Sequence, residues 1–224
     1  LMSANASDAR VHITKSETEN PKAPPMFCML MRKHLNNGRL LNIRQDGLER
    51  ILYFDFEAMN EIGDMVSVTV ACEIMGRCSN IILINGENKI IDSIKRVDEE
   101  MSRERLVLPG MTYTYPPRGD RLNLLTASRE EMLTGIKAQK NAELSKCLIK
   151  TFEGISPIFA RECTFYASKK EITKDELDEN GADRLLFFLM NVQKNLNDGN
   201  NSFSVIIDKN KSLKDFCFMP IHQY

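Results

Sequence analysis

The sequence predicts an α+β chain: an antiparallel β meander with one helix, sandwich-like in its layering, followed by a helical domain. Three observations carry this expectation. Between residues 39 and 95 apolar residues recur with period two in five short runs, as at Val66, Val68 and Val70, the spacing of a half-buried strand. The runs are joined by short links without intervening helices, which favours an antiparallel meander over parallel βαβ units. After Thr126 the period becomes helical, most clearly at Leu185, Phe188, Leu189, Val192 and Leu196, an amphipathic stripe.

In order along the chain, Leu1 to Asn5 reads as the end of a strand and Arg10 to Thr14 as a short alternating segment. A polar, Pro-rich linker runs from Glu17 to Pro25. Pro24-Pro25 suits a helix start, and Phe27, Leu30, Met31 and Leu35 carry the helix to Asn36-Asn37-Gly38, a stop signal. Strands are expected at Arg39–Arg44, Arg50–Phe56, Val66–Met75, Asn80–Ile84 and Lys89–Lys95, with Asn85-Gly86 as a tight turn. Helices are expected after Ser128, over Gln139–Phe152, Ile155–Ala167 and Ala182–Asn197. Phe203–Ile207 and Phe216–Met219 read as a terminal hairpin around Asn210. The resulting division is a β domain over 1–125, a helical domain over 126–200 and terminal strands over 201–224, which are free to return to the first domain.

Composition excludes several classes. The chain has 224 residues, 42% apolar and 27% charged, enough to bury a core. No apolar run approaches the ~18 residues of a membrane span. The net charge of -1 excludes binding nucleic acid by bulk positive charge, so any such site must be local. From Met26 to Arg50 the residues Arg32, Lys33, Arg39, Arg44 and Arg50 outweigh Asp46 and Glu49 by +3. The bland reading is a solvated face; the sharper one is a groove between helix and sheet that gathers these cations against phosphates. The six cysteines have no C-x-x-C spacing and read as packed thiols of a reducing, cytoplasmic protein. Cys72 and Cys78 are close enough in sequence to face each other across a hairpin.

Catalytic signals are weak. His12, His34 and His222 accompany no local nucleophile signature. Metal-ligand spacings and glycine-rich phosphate cradles are missing, so no metal or cofactor is expected and the chain reads as a non-enzyme. Leu148 to Ala160 reads as helix, Glu153-Gly154-Ile155-Ser156-Pro157 turn, then helix. This is similar to a helix-hairpin-helix motif, whose turn can offer N–H groups to a phosphate. A purely structural hairpin fits equally well.

Longer motifs point to a family. Pro24-Pro25-Met26-Phe27-Cys28-Met29-Leu30-Met31-Arg32-Lys33-His34 and Glu73-Ile74-Met75-Gly76-Arg77-Cys78-Ser79-Asn80-Ile81-Ile82-Leu83 resemble two signatures of the NFACT family. Arg10 to Thr14, Gly47 to Arg50 and Val107 to Gly110 match in the same order. The resemblance implies a factor of ribosome-associated quality control. Its partners would be tRNA and a large ribosomal subunit obstructed by peptidyl-tRNA, with alanyl-tRNA recruited for C-terminal tailing of the stalled chain. It also implies a first domain similar in fold to the N-terminal domain of formamidopyrimidine-DNA glycosylase, and a fragment lacking the family's opening segment, coiled coil and C-terminal RNA-binding domain.

The family's tRNA-linked Asp-Arg pair falls on Glu49-Arg50, where the acid is one methylene longer. Its second signature brings Glu73, Ile74 and Arg77 to a hairpin turn, with Cys78 in place of the usual histidine. With Arg32, Lys33 and Arg44 of the basic window, these are the expected nucleic-acid-binding residues. Two other functions compete. The family's older name implies a fibronectin-binding surface adhesin, which predicts salt-insensitive fibronectin binding. The glycosylase-like fold implies a DNA-binding or DNA-processing module, which predicts base release from damaged duplex.

Overall fold

A computed structural model describes residues 1–16, 19–117 and 119–223. The expected linker therefore begins with two residues, 17 and 18, outside the described ones. The chain forms two compact units, Leu1–Arg118 and Gly119–Tyr224, divided a few residues before the expected boundary at 125.

The first unit is built on a five-stranded antiparallel meander: β3 (Arg39–Gln45), β4 (Ile51–Met59), β5 (Met65–Glu73), β6 (Asn80–Asn85) and β7 (Ile90–Ser93), in that spatial order. Strand alternation divides its side chains between two faces. On one face, Leu52, Phe54 and Phe56 of β4 meet Val68, Val70 and Cys72 of β5 and Ile81 and Leu83 of β6. Helix α1 (Met26–Leu35) lays Phe27, Met31 and Leu35 on this face, at the i, i+4, i+8 spacing of a single helical stripe. The small hairpin of β1 (Met2–Ser3) and β2 (Arg10–Val11) adds Met2, Ala4 and Val11. Each fully buried large side chain in such a core contributes ~1.5–3 kcal/mol relative to exposure.

The opposite face holds Ile51, Tyr53, Ala71, Ile82, Ile84 and Ile90. An irregular segment closes part of it. Val97 pairs with Val107, Gly110 N–H donates to the Ile90 carbonyl at 2.8 Å, and Val107 and Tyr113 drop into the core.

The second unit stacks α2 (Arg129–Ala138), α3 (Leu144–Thr151), α4 (Pro157–Ser168) and α5 (Glu179–Asn197). Three of the four starts carry a side-chain cap. Ser128 and Glu131 form a reciprocal capping box on α2, Ser156 caps α4 ahead of Pro157, and Asp178 caps α5 by accepting from Gly181 N–H at 2.6 Å. Gly135 marks the tight approach of α2 to its neighbours, because a Cβ there would lie 2.8 Å from Leu122 and 2.9 Å from Thr151. Leu144, Leu148, Phe152, Phe159, Leu185 and Leu189 are fully buried.

The terminal hairpin, β8 (Ser204–Ile207) and β9 (Leu213–Cys217), belongs to this unit. Its second strand comes earlier than Phe216–Met219. The Asp208 carboxylate accepts from the N–H groups of Asn210 and Ser212, which closes the turn early, and the strand ends as Cys217 enters the core. Beyond it, the fully buried Glu162 accepts from His222 and Gln223 N–H groups and meets His222 Nδ1 at 3.0 Å. The reading as packed thiols holds for Cys72, buried in β5, but not for Cys78, which is exposed in a single 3-10 turn after the strand; both are free.

Candidate nucleic-acid interface

The sheet end where β4 starts and β5 stops carries two of the charged motif stretches, Gly47–Arg50 and the start of Glu73–Leu83. Ile51 pairs with Glu73, and Ile74 N–H donates to the Arg50 carbonyl at 2.8 Å. The Glu49-Arg50 link and the loop at 74–79 are thereby tied side by side. Both are shaped by local chemistry. Gly47 and Gly76 take φ of 55° and 56°, a region open to glycine at little cost. The buried Ser79 hydroxyl accepts from Met75 N–H at 2.8 Å, and Asn80 donates to the Lys95 carbonyl at 2.7 Å. The Glu49-Arg50 pair thus sits in a turn, with the Glu49 carbonyl accepting from Gln45 Nε2 at 2.7 Å.

Arg50 and Arg77 are exposed and form no ion pair among the described residues. Neighbouring Ile74 is half-buried against the helix-covered face. Glu73 differs from the expectation of a turn residue facing outward. It is 1% exposed, on the face opposite Ile74. Arg105 grips it with two bonds, Nη1 to Oε2 at 2.9 Å and Nη2 to Oε1 at 2.6 Å, and the Tyr113 hydroxyl donates to Oε1 at 3.0 Å. Tyr113 has one proton to give, so Tyr53 must donate to Tyr113 across their 3.2 Å separation. Burial, then the charge of Glu73, pushes the Tyr113 hydroxyl well above its usual range. Burial works against the charge on Arg105, but the hydrogen bonds and charge of Glu73 hold its pKa above the ordinary value.

The groove expected to gather the basic window is not present; its cations are dispersed over three places. Arg32 and Lys33 end α1, with Lys33 paired to Glu61 at 3.1 Å in the β4–β5 turn, at the far end of the sheet. Arg39 and Arg44 point to the face opposite α1, where they pair with Glu57 at 3.1 Å and Asp55 at 2.8 Å. A β3 bulge between Leu40 and Asn42 keeps both on that face. Arg50 lies at the remaining end. Charge spacing along a chain says nothing about which face of a strand each residue takes once a bulge intervenes. Arg32, like Arg50 and Arg77, is exposed and makes no ion pair among the described residues.

His34 lies in the last turn of α1, half-buried. Burial first, then the charge of Lys33, lowers its pKa, outweighing Glu61. In the second unit, the turn between α3 and α4 has Gly154 at φ 69°, and Ser156 already takes the Phe159 N–H. Among the described residues, no group of three His, Cys, Asp or Glu side chains is placed to hold a metal ion, and no helix is long and apolar enough to cross a membrane. Sequence reading missed a tyrosine cluster, Tyr53, Tyr113 and Tyr115, whose three ring centroids stand 6.2 Å apart pairwise. The Tyr113-Thr114-Tyr115 spacing was its only local signal.

Comparison with known proteins agrees with the motifs. The family model for NFACT N-terminal and middle domains matches residues 1–224. The Bacillus subtilis (strain 168) protein Rqc2 homolog RqcH is 45% identical over 168 residues, which covers 75% of this chain and 29% of that protein. The Streptococcus suis (strain 05ZYH33) protein of the same name is 41% identical over 72% of this chain and 29% of its own. This chain therefore spans less than a third of these curated relatives. Among solved structures, the N-terminal region of the fibronectin/fibrinogen-binding protein from Streptococcus suis superposes with a TM-score of 0.72 at 30% identity, over 99% of this chain and 74% of that one. The fibrinogen binding protein from Staphylococcus aureus gives 0.77 at 26% identity, over 100% and 74%.

Proposed function

The chain belongs to the NFACT family, and from that membership we propose that it is the RNA-facing part of a cytoplasmic ribosome-quality-control factor. In this reading it acts by binding and carries out no bond-making of its own. It docks on a large ribosomal subunit that still holds peptidyl-tRNA and recruits a charged tRNA, alanyl-tRNA, for tailing of the stalled chain. The α3–α4 hairpin is read as the family's helix-hairpin-helix element, and the first unit as a relative of the formamidopyrimidine-DNA glycosylase N-terminal fold without its chemistry. Curated relatives named as ribosome quality control complex subunits support the role.

One observation carries the site. Arg50 and Arg77, at two separate motif positions, sit on loops tied together at one sheet end, exposed and without carboxylate partners among the described residues. An exposed guanidinium not already neutralised can take a phosphate in two parallel hydrogen bonds. Glu73 contributes by holding Arg105 and Tyr113 beneath that end rather than by touching RNA. Lys33 and Arg44, already paired, are weaker candidates than Arg50, Arg77 and Arg32.

Titrating labelled tRNA against this chain at several salt concentrations tests the reading. Each phosphate contact adds about -0.7 to -0.9 to the slope of log affinity against log salt, so three contacts give roughly -2 to -3. Binding without salt dependence counts against it. Fibronectin, titrated in parallel because two solved relatives carry fibronectin or fibrinogen in their names, should not bind; salt-insensitive fibronectin binding would favour an adhesin.

A further inference from the structure

The tyrosine cluster borders a cleft of about 310 Å³ on the open face of the sheet, lined by Arg44, Tyr53, Thr69, Asn85, Asn88 and Tyr115 among others. We propose that this cleft takes the base of one unpaired RNA nucleotide, at a place separate from the Arg50–Arg77 end. The proposal rests on the RNA-binding reading above.

Shape and chemistry lead to a base rather than a phosphate. Arg44 is neutralised by Asp55, through Nε at 2.8 Å and Nη2 at 3.4 Å, and Asp55 is itself held by the Thr69 hydroxyl at 2.8 Å. Among the described residues the cleft thus has no net cation to spare for an anion. What it offers is flat surface. The Arg44 guanidinium lies over the Tyr53 ring at 4.2 Å, and the Tyr115 ring is 45% exposed on the cleft wall. Such faces stack on any base, since every base has a π-face.

Two amides can read an edge. The Asn85 carbonyl oxygen is occupied by Glu87 and Lys89 N–H groups at 3.0 and 2.9 Å, which turns its NH₂ into the remaining donor. Asn88 gives an N–H to the Tyr113 carbonyl at 3.1 Å, which leaves its oxygen as the acceptor. The floor is rigid, because the Tyr53–Tyr113–Glu73–Arg105 chain of hydrogen bonds fixes it from below. Small binding clefts begin at about 300 Å³, which suits one nucleotide and excludes a duplex. A base inside a duplex also keeps its faces covered.

The test compares three probes: a short single-stranded oligonucleotide carrying 2-aminopurine, an oligonucleotide of abasic residues with the same number of phosphates, and intact tRNA. The chain contains no tryptophan, so 2-aminopurine emission is read without protein interference. Bound to the wild-type chain, the fluorescent base should be quenched. Tyr115→Ala should weaken the base-bearing oligonucleotide roughly tenfold, in the range expected for losing one stacking ring. Tyr115→Phe should bind as wild type, and Tyr115→Leu, which keeps apolar bulk without a π-face, should behave like Tyr115→Ala. Affinity for the abasic strand should be the same for all four proteins.

Equal losses for abasic and base-bearing strands, or no loss for either, would overturn the cleft. Salt-dependent tRNA binding that persists beside such a result leaves the RNA-binding reading standing while the cleft fails. Absence of binding to all three probes overturns both.

Discussion

Two regions only a few residues apart, the interior end of β5 and the loop that follows it, treat charge in opposite ways. Glu73 is sealed inside, satisfied by three hydrogen bonds from Arg105 and Tyr113. Arg77 stands in solvent with no carboxylate beside it among the described residues. Both belong to one contiguous motif, and from the sequence alone both read as RNA contacts. The difference teaches that a motif can divide its labour. Its first residue builds a rigid floor, while its fifth is left free because the floor needs nothing from it. A buried ion pair adds little net stability over an apolar replacement, yet is costly to half-remove. An exposed arginine costs nothing to remove and is available to a ligand.

The largest expected effect sharpens that contrast through chemistry. Cys72 is fully buried, and burial together with the charge of Glu73 pushes its thiol up to about 11. Cys78 lies exposed six residues on. An alkylating reagent at neutral pH should therefore modify Cys78 at least ~10³ times faster than Cys72, which reacts only when the sheet opens. Peptide mapping by mass spectrometry reads both rates. Comparable rates would mean that this end of β5 is not an interior strand.

Next in size is Arg105→Ala, which leaves the Glu73 carboxylate buried without its cation. Removing one partner of a buried pair costs about 3–5 kcal/mol. Urea unfolding followed by tyrosine emission suits the measurement, since three of the five tyrosines, Tyr53, Tyr113 and Tyr115, lie in the first unit. A cost below ~1 kcal/mol, the size of an exposed pair, would show that water reaches Glu73. Tyr113→Phe should cost less, about 1–2 kcal/mol, because it removes one donor to Glu73 and the acceptor for Tyr53.

The interior was the harder part to foresee. The strands were legible because Val66, Val68 and Val70 alternate, and the start of α2 because Ser128 precedes a first turn carrying Glu130 and Glu131. Glu73 was not, because its partners lie 32 and 40 residues away, in a segment without regular structure. No local pattern announces such a pairing. The tyrosine cleft was hidden for the same reason, since Tyr53 meets Tyr113 only after the irregular segment crosses the sheet. Arg50 and Arg77 were legible as motif residues, but their juxtaposition depends on the register of Ile51 with Glu73. The basic window misled because linear charge density ignores the alternation and bulge of β3.

The smallest expected effect on the fold falls on the residues expected to matter most for binding. Arg50→Ala and Arg77→Ala each remove an exposed side chain with no ion pair among the described residues, so each should shift stability by no more than about 0.5 kcal/mol, as surface substitutions do. If each guanidinium takes one phosphate, each variant should lower tRNA affinity and flatten the salt slope by roughly one. The pair together should flatten it by the sum, because separate phosphate contacts act independently. Lys194→Ala, exposed in the last turn of α5 in the second unit, serves as the control and should leave the slope unchanged. Lys169 is unsuited to that purpose, since its ammonium lies over the Phe165 and Tyr166 rings at 4.7 and 5.4 Å and its removal loses those contacts as well as the charge. Measuring urea midpoints and salt-dependent tRNA titrations on the same preparations separates the two regions cleanly. A stability loss above ~1 kcal/mol for Arg50→Ala would move that arginine into the interior class with Arg105. An unchanged slope in the double variant would place the phosphate contacts elsewhere on the chain.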